Sequence, residues 1–316
     1  MKRIIITTGP SYLNDNILKK NHQERYIYRI NGSHGSVQDI EKTISEIRKQ
    51  IKNADILIDL PGNKIRTANI KIPIEITLNK IFVLKLKQIN FPDFYKYIKK
   101  GDVVYANDSI YTFKIKEINK DSIEFISLSN GKLENNKGLH VRGINKTLPF
   151  LLKKDLDIIK IANRNSIKFL GLSFVRNVDD INEAKKLIKK SIIISKIETA
   201  EAVKNLTSIL NSVEYILIDR GDLSTDVGLI KIPYYQRHII EKALSRNKKV
   251  FLATQFLKTM ENMPIPTIAE VVDLTNTLKQ GIHGIQLSEE TAIGQYPLEC
   301  LNLIEQIEKN VSNETI

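Results

Sequence analysis

The 316 residues are 42% hydrophobic, enough for one large barrel or two ordinary domains, and hold one cysteine, Cys300, which excludes an intrachain disulfide framework and makes a reducing compartment the expectation. A formal charge of +12 would suit an anionic partner, but the lysines and arginines are spread along the whole chain with few aromatics among them, so solvated basic faces are expected and nucleic acid is not. No apolar run approaches a membrane span and the first is too short for a signal peptide, so a cytoplasmic protein with no membrane partner is expected.

Arg3–Thr8 is a β-branched run that ends in Thr8-Gly9-Pro10-Ser11. Tyr26–Asn31 is a second strand, with Arg29 and Asn31 two apart on one face, and a helical pattern through Ile40, Ile44 and Ile47 follows. Ala54–Leu60 is a third strand, carrying Asp59 at its end. Strand–helix units with polar strand ends predict a parallel sheet.

From about Ala68 the rhythm changes to short alternating segments: 70–76, 80–87, 103–105, 110–118, 122–127 and 139–141. Turn signals divide them at Lys100-Gly101-Asp102, Asn107-Asp108-Ser109, Asn119-Lys120-Asp121 and Ser129-Asn130-Gly131. A small all-β insert closed as a barrel is predicted, with a short helix within 91–100. Strand–helix alternation resumes near Thr147, with a helix over 155–163 and strands at 167–175, 192–198, 215–218, 250–254 and 284–287. Three strands before the insert and five after it make eight. The fold class is therefore α/β, a (β/α)₈ TIM barrel spanning 1–67 and 144–316, with a lid-like all-β domain at 68–143 inserted after the third strand.

Two strand ends carry chemistry. Ser191–Glu198 ends in Lys196 and Glu198, two apart and so on one face; Glu214–Leu223 ends in Asp219-Arg220-Gly221-Asp222. Charges at the tips of buried parallel strands are where this class of fold places its site. Glu198 and Asp222 from neighbouring strand ends form a hard oxygen pair suited to Mg²⁺ or Mn²⁺. Lys196 beside them would face the anionic group such a metal holds.

The chain resembles the pyruvate kinase family over nearly its whole length. The matching pieces are Thr8-Gly9-Pro10-Ser11, Arg29-Ile30-Asn31-Gly32-Ser33-His34-Gly35, Asp59 with Ile65-Arg66-Thr67, Lys100-Gly101-Asp102, Lys137-Gly138 and Ser173-Phe174-Val175-Arg176. They continue with Lys196-Ile197-Glu198, Arg220-Gly221-Asp222-Leu223, Ala253-Thr254-Gln255, Pro266-Thr267 with Ala269-Glu270-Val271, and Leu287-Ser288 with Glu290-Thr291-Ala292. Several are common alone, but the ordered set around a β insert is highly specific. The resemblance implies a kinase, a phosphotransferase using ATP or ADP and a small carboxylate of enolpyruvate type. By the same resemblance, Lys196 and Arg29 stabilise the phosphoryl group, and Glu198 and Asp222 bind the divalent cation. Gly221 and Asp222 present N–H groups to the substrate, and Thr254 and Ser288 lie near the enol and its proton relay. Arg66, His34 and Pro10 face the nucleotide. Asn31, Ser33 and Asp59 build a monovalent-cation site, with Asn31 also toward the nucleotide.

Departures from the family pattern matter as much. Leu60 replaces a threonine of the monovalent-cation site, Lys64 stands where many members have glutamate, Ser224 and Glu289 replace glycines, and Ile268 replaces an arginine. With Lys64 supplying a fixed ammonium, K⁺ is expected not to be required. The family's C-terminal effector domain has no counterpart here, so no response to its sugar-phosphate effectors is expected; a homo-oligomer through the barrel is compatible with the sequence. Asp219 stands where the family has alanine. A carboxylate is costly to desolvate unless paired or protonated, so Asp219 either meets a polar or cationic substrate group or turns aside to a neighbouring Arg or Lys. Two alternatives accompany the kinase reading: a specialised kinase for a different small polar substrate, and a metal-dependent 2-oxo-acid lyase on the same barrel. A non-catalytic binding protein fits less well, because the charged groups remain.

Overall fold

The computed structural model describes residues 1–13, 17–107, 109–144 and 147–313, so Asp108 of the expected turn lies outside the described residues. Eight parallel strands close into a barrel: β1 (Arg3–Thr7), β2 (Tyr26–Asn31), β3 (Ile56–Asp59), β11 (Phe169–Leu172), β12 (Ile192–Ile197), β13 (Tyr215–Asp219), β14 (Lys249–Ala253) and β15 (Gly284–Leu287), which pairs back onto β1. The strands over 26–31 and 284–287 match the expectation, 215–218 gains Asp219, and 3–8, 54–60, 167–175, 192–198 and 250–254 end one to three residues earlier, because their tips leave the hydrogen-bonded ladder and enter loops.

Strand periodicity sorts the side chains into two cores. Ile4, Ile6, Ile193, Ile197, Ile216 and Ile218 point outward and pack under the surrounding helices. Their alternates Ile5, Ile27, Leu57, Phe169, Ile194, Leu217 and Phe251 fill the barrel interior. The outer helices present matching apolar stripes; Val37–Gln50 (α2) buries Ile40, Ile44 and Ile47 and starts in a capping box between Ser36 and Asp39. Among the described residues, no helix is long and apolar enough to cross a membrane.

Between β3 and the helix Lys153–Arg164 (α3) lies the antiparallel part. Strands Ile81–Lys85 (β5), Val103–Ala106 (β6), Tyr111–Ile118 (β7), Ser122–Ser127 (β8) and Leu139–His140 (β10) form one sheet in the order β10-β6-β7-β8-β5, while Ile74–Ile76 (β4) pairs with Gly131–Leu133 (β9). The expected closed barrel is thus corrected to two sheets. The edge strand β10 has two residues, too short to close on β5, and β4 and β9 satisfy each other instead. The strand β9 has little sequence signal, because it is three residues long and begins at Gly131, the end of a turn signal. Phe82, Phe113 and Phe125 form the centre of this core, with Phe82 and Phe113 ring centroids 4.7 Å apart. The short helix expected within 91–100 is a 3₁₀ segment, Pro92–Tyr97.

One glycine is demanded by packing. A Cβ on Gly171, in β11, would lie 1.8 Å from Asp59 Oδ1. Gly171→Ala is therefore expected to cost about 1–3 kcal/mol, the scale of an overpacked core, in urea unfolding. A loss below about 0.5 kcal/mol, the range of a neutral surface change, would contradict this.

Candidate functional site at the barrel mouth

The inward alternation that builds the interior continues upward into polar residues. Above Ile5, Ile27, Leu57, Ile194 and Leu217 stand Thr7, Arg29, Asp59, Lys196 and Asp219, each two residues further along its strand. All five are buried at the C-terminal end of the strands.

Arg29 is fixed from two sides. Its Nε donates to Asp59 Oδ2 at 2.6 Å and its Nη1 to Thr7 Oγ1 at 2.8 Å. Lys196 is the second buried cation: its Nζ lies 2.9 Å from Glu198 Oε2, 3.1 Å from Asp219 Oδ2, and donates to Ser173 Oγ at 3.4 Å. Burial disfavours the ammonium, but Glu198 and Asp219, with Asp59 and Asp222 beyond them, outweigh it and raise the Lys196 pKa. Burial raises the pKa of Glu198, with Asp222 and Asp219 adding to it against the opposing pull of Lys196. The other Glu198 oxygen, Oε1, accepts the Phe174 N–H at 2.6 Å.

Asp222 stands in the first turn of the helix Arg220–Val227 (α7), which follows β13 directly. Burial works against its charge, yet Lys64 and Lys196 win and lower its pKa; Lys64 Nζ is 2.5 Å from Asp222 Oδ1. The N-cap of α7 is Asp219, whose Oδ1 accepts the Asp222 N–H at 3.5 Å. The Gly221 N–H donates to Thr254 Oγ1 at 3.0 Å. Thr254 has φ of +74°, a left-handed conformation that a β-branched residue adopts only under constraint. The constraint is Arg220, which donates to the Thr254 carbonyl at 2.6 and 3.1 Å and pairs with Asp273 at 2.7 Å.

Lys64, Lys196, Glu198, Asp219, Gly221, Asp222 and Thr254 therefore form one connected cluster, with Arg29 and Asp59 beside it. Asn31 and Ser33 lie in the turn after β2, where Asn31 Oδ1 accepts the Ser33 N–H at 3.1 Å. Arg66 sits where the antiparallel part begins and donates to the Asn136 carbonyl at 3.3 Å. Pro10, His34 and Ser288 stand in the rim loops after β1, β2 and β15 and share no hydrogen bond or ion pair with the Lys196 cluster among the described residues. Asp219 pairs with the neighbouring Lys196.

The donor set fits a hard divalent cation. One oxygen each from Glu198, Asp219 and Asp222 lies within 4.8 Å of the others. Oxygen-only ligands suit Mg²⁺ or Mn²⁺.

A model of the barrel domain of pyruvate kinase matches residues 1–301. The chain belongs to the pyruvate kinase family. It is 34% identical to pyruvate kinase of Thermococcus litoralis, covering 97% of this chain and 69% of that one. Identity is 31% to pyruvate kinase of Thermotoga maritima, covering 99% and 71%, and 30% to that of Geobacillus stearothermophilus, covering 96% and 56%. The barrel, the antiparallel part and the phosphotransferase class expected from the sequence agree with this membership, and the family generally uses Mg²⁺ with ATP or ADP.

The roles of several contributors to this cluster are not evident in the sequence. Thr7 holds Arg29, with a place at a strand end as its only sequence signal; Ser173 and Phe174, which the ordered motifs include without a role, hold Lys196 and Glu198. A latch between the two parts was also missed. His140, in β10, lies 3.0 Å from Asp226 Oδ1 in α7, and Asp226 also accepts the Ala200 and Gly143 N–H groups at 2.6 and 3.3 Å. Burial raises the Asp226 pKa, but the His140 and Ala200 hydrogen bonds outweigh it and leave it lowered. Such a group adds stability that is complete above the unfolded carboxylate value of about 3.9 and is lost as pH falls through the native value. Asp226→Asn is expected to cost about 1–3 kcal/mol at neutral pH, with the gap to wild type closing below pH of about 3.9. Urea unfolding of both proteins at pH 7 and near pH 3 tests this, and a gap that stays constant would refute it.

Proposed function

We propose that this chain catalyses divalent-metal-dependent phosphoryl transfer between an adenine nucleotide and an enolpyruvate-type carboxylate. The reading is carried by one observation: two buried, immobilised cations, Lys196 and Arg29, flank an oxygen donor set at the barrel mouth. Phosphoryl transfer needs positioning and charge stabilisation more than covalent chemistry from the protein. Lys196 and Arg29 hold the charge of the transferred group. Glu198 and Asp222 hold the divalent cation, which when bound neutralises substrate oxygens as a Lewis acid. The N–H groups of Gly221 and Asp222, with the Thr254 hydroxyl, receive the substrate carboxylate. Thr254 and Ser288 serve the enol and its proton. Pro10, His34, Asn31 and Arg66 line the nucleotide side, and the segment 68–143 acts as a lid over it.

Lys64 supports independence from K⁺. Its ammonium, already paired with Asp222, supplies the positive charge that a monovalent ion held by Asn31, Ser33 and Asp59 would otherwise bring. A homo-oligomer through the barrel is supported by the exposed Leu229, Ile230 and Tyr234 beside α7.

Lys196→Met should lower kcat about 10²–10³-fold, the loss of about 3–4 kcal/mol typical of one transition-state electrostatic group, while the fold persists by circular dichroism. A loss under about threefold, well short of the 1.4 kcal/mol in a factor of ten, would remove Lys196 from this role. Asp222→Ala should abolish both turnover and thermal stabilisation by Mg²⁺.

Steady-state rates in K⁺, Na⁺ and tetramethylammonium salts should agree. A rate about tenfold higher in K⁺, about 1.4 kcal/mol of specific ion binding, would reject the substitution by Lys64.

A further inference from the structure

We infer that Asp219 is a third carboxylate of the divalent-cation site; this rests on the metal-dependent reading above. Asp219 is 7% exposed, and one of its oxygens lies within 4.8 Å of oxygens of both Glu198 and Asp222. Oδ1 meets the Asp222 N–H and Oδ2 the Lys196 ammonium, and both contacts can be shared with a cation. The bond to the Asp222 N–H, at 3.5 Å, is at the outer limit of a hydrogen bond. The Lys196 ammonium, 3.1 Å away, keeps a second carboxylate partner in Glu198 at 2.9 Å if Asp219 turns.

Charge points the same way. Three carboxylates, Glu198, Asp219 and Asp222, face two ammoniums, Lys196 and Lys64, which leaves one negative charge in a largely buried site. A divalent cation bound here would reverse that sign. Magnesium in phosphoryl-transfer sites is usually held by one or two protein carboxylates, with substrate and water completing the shell. A third protein oxygen would let the site hold the cation before substrate arrives and would leave the substrate carboxylate fewer positions to fill.

The test is a Mn²⁺ titration of the full chain, read by the electron paramagnetic resonance signal of free Mn²⁺, without nucleotide or carboxylate. Wild type is expected to bind. Asp219→Ala should bind about tenfold more weakly or worse, since groups that merely hold a metal ligand in place cost about 10–100-fold when removed. Asp219→Asn, which keeps the cap acceptor and drops the charge, should fall between the two and serves if the alanine variant does not fold. Equal or tighter binding by both variants overturns the inference. If Asp222→Ala loses the binding that Asp219→Ala keeps, the metal-dependent reading survives and only this inference fails. Wild type that binds no Mn²⁺ overturns both.

Discussion

An ammonium group buried inside a β-barrel is the constraint around which this site is built. Lys196 is 5% exposed, and an unpaired charge at that depth would shed its proton. Two carboxylates on neighbouring strands, Glu198 and Asp219, keep it charged. Those carboxylates are themselves buried, so Glu198 also takes the Phe174 N–H and Asp219 caps α7. The result is a chain of mutual satisfaction running through β11, β12, β13 and α7. Removing one member of such a pair leaves the other unpaired, which typically costs about 3–5 kcal/mol. Arg29, Asp59 and Thr7 repeat the arrangement on the opposite strands with a guanidinium, whose planar fork suits a fixed two-partner position.

The barrel and much of its mouth were legible in the sequence because both follow from a period of two. Apolar residues at Ile194 and Leu217 and charged ones at Lys196 and Asp219 lie on the same strand faces, so one pattern gives both the interior and the site above it. The ordered motifs located Glu198, Asp222, Arg29 and Thr254, and the comparison with pyruvate kinases agrees with the family. Less legible was everything set by contacts between segments far apart in the chain. The partner of Asp219 depended on the strand register placing it beside Lys196, and the two sheets of the antiparallel part depended on β9 finding β4 across more than fifty residues. The positive φ of Thr254 has no local signal, since a threonine is among the residues least suited to it; Arg220 and Asp273 impose it from outside.

The family's departures cluster where these satisfactions are made. Lys64 and Asp219 are both charged, both at the mouth, and both engaged with the same group of residues: Lys64 with Asp222, Asp219 with Lys196. The two are of opposite sign, so the negative charge of Asp219 offsets part of the positive charge that Lys64 brings in place of a glutamate. Changes of this kind alter which atoms hold which at the mouth.

The passage from β13 into α7 has a mechanical consequence. Asp219 is the last residue of the strand and Arg220 the first of the helix, so no loop residue separates them. Most barrel units place a connector there that can absorb a small shift of the outer helix. Here there is no slack. A tilt of α7 about its start must carry the Gly221 and Asp222 N–H groups with it, and the far end of that lever adjoins the exposed Leu229 and Ile230. Force applied at that outer turn would reach the mouth by rigid rotation of about two turns of helix, with no soft element between.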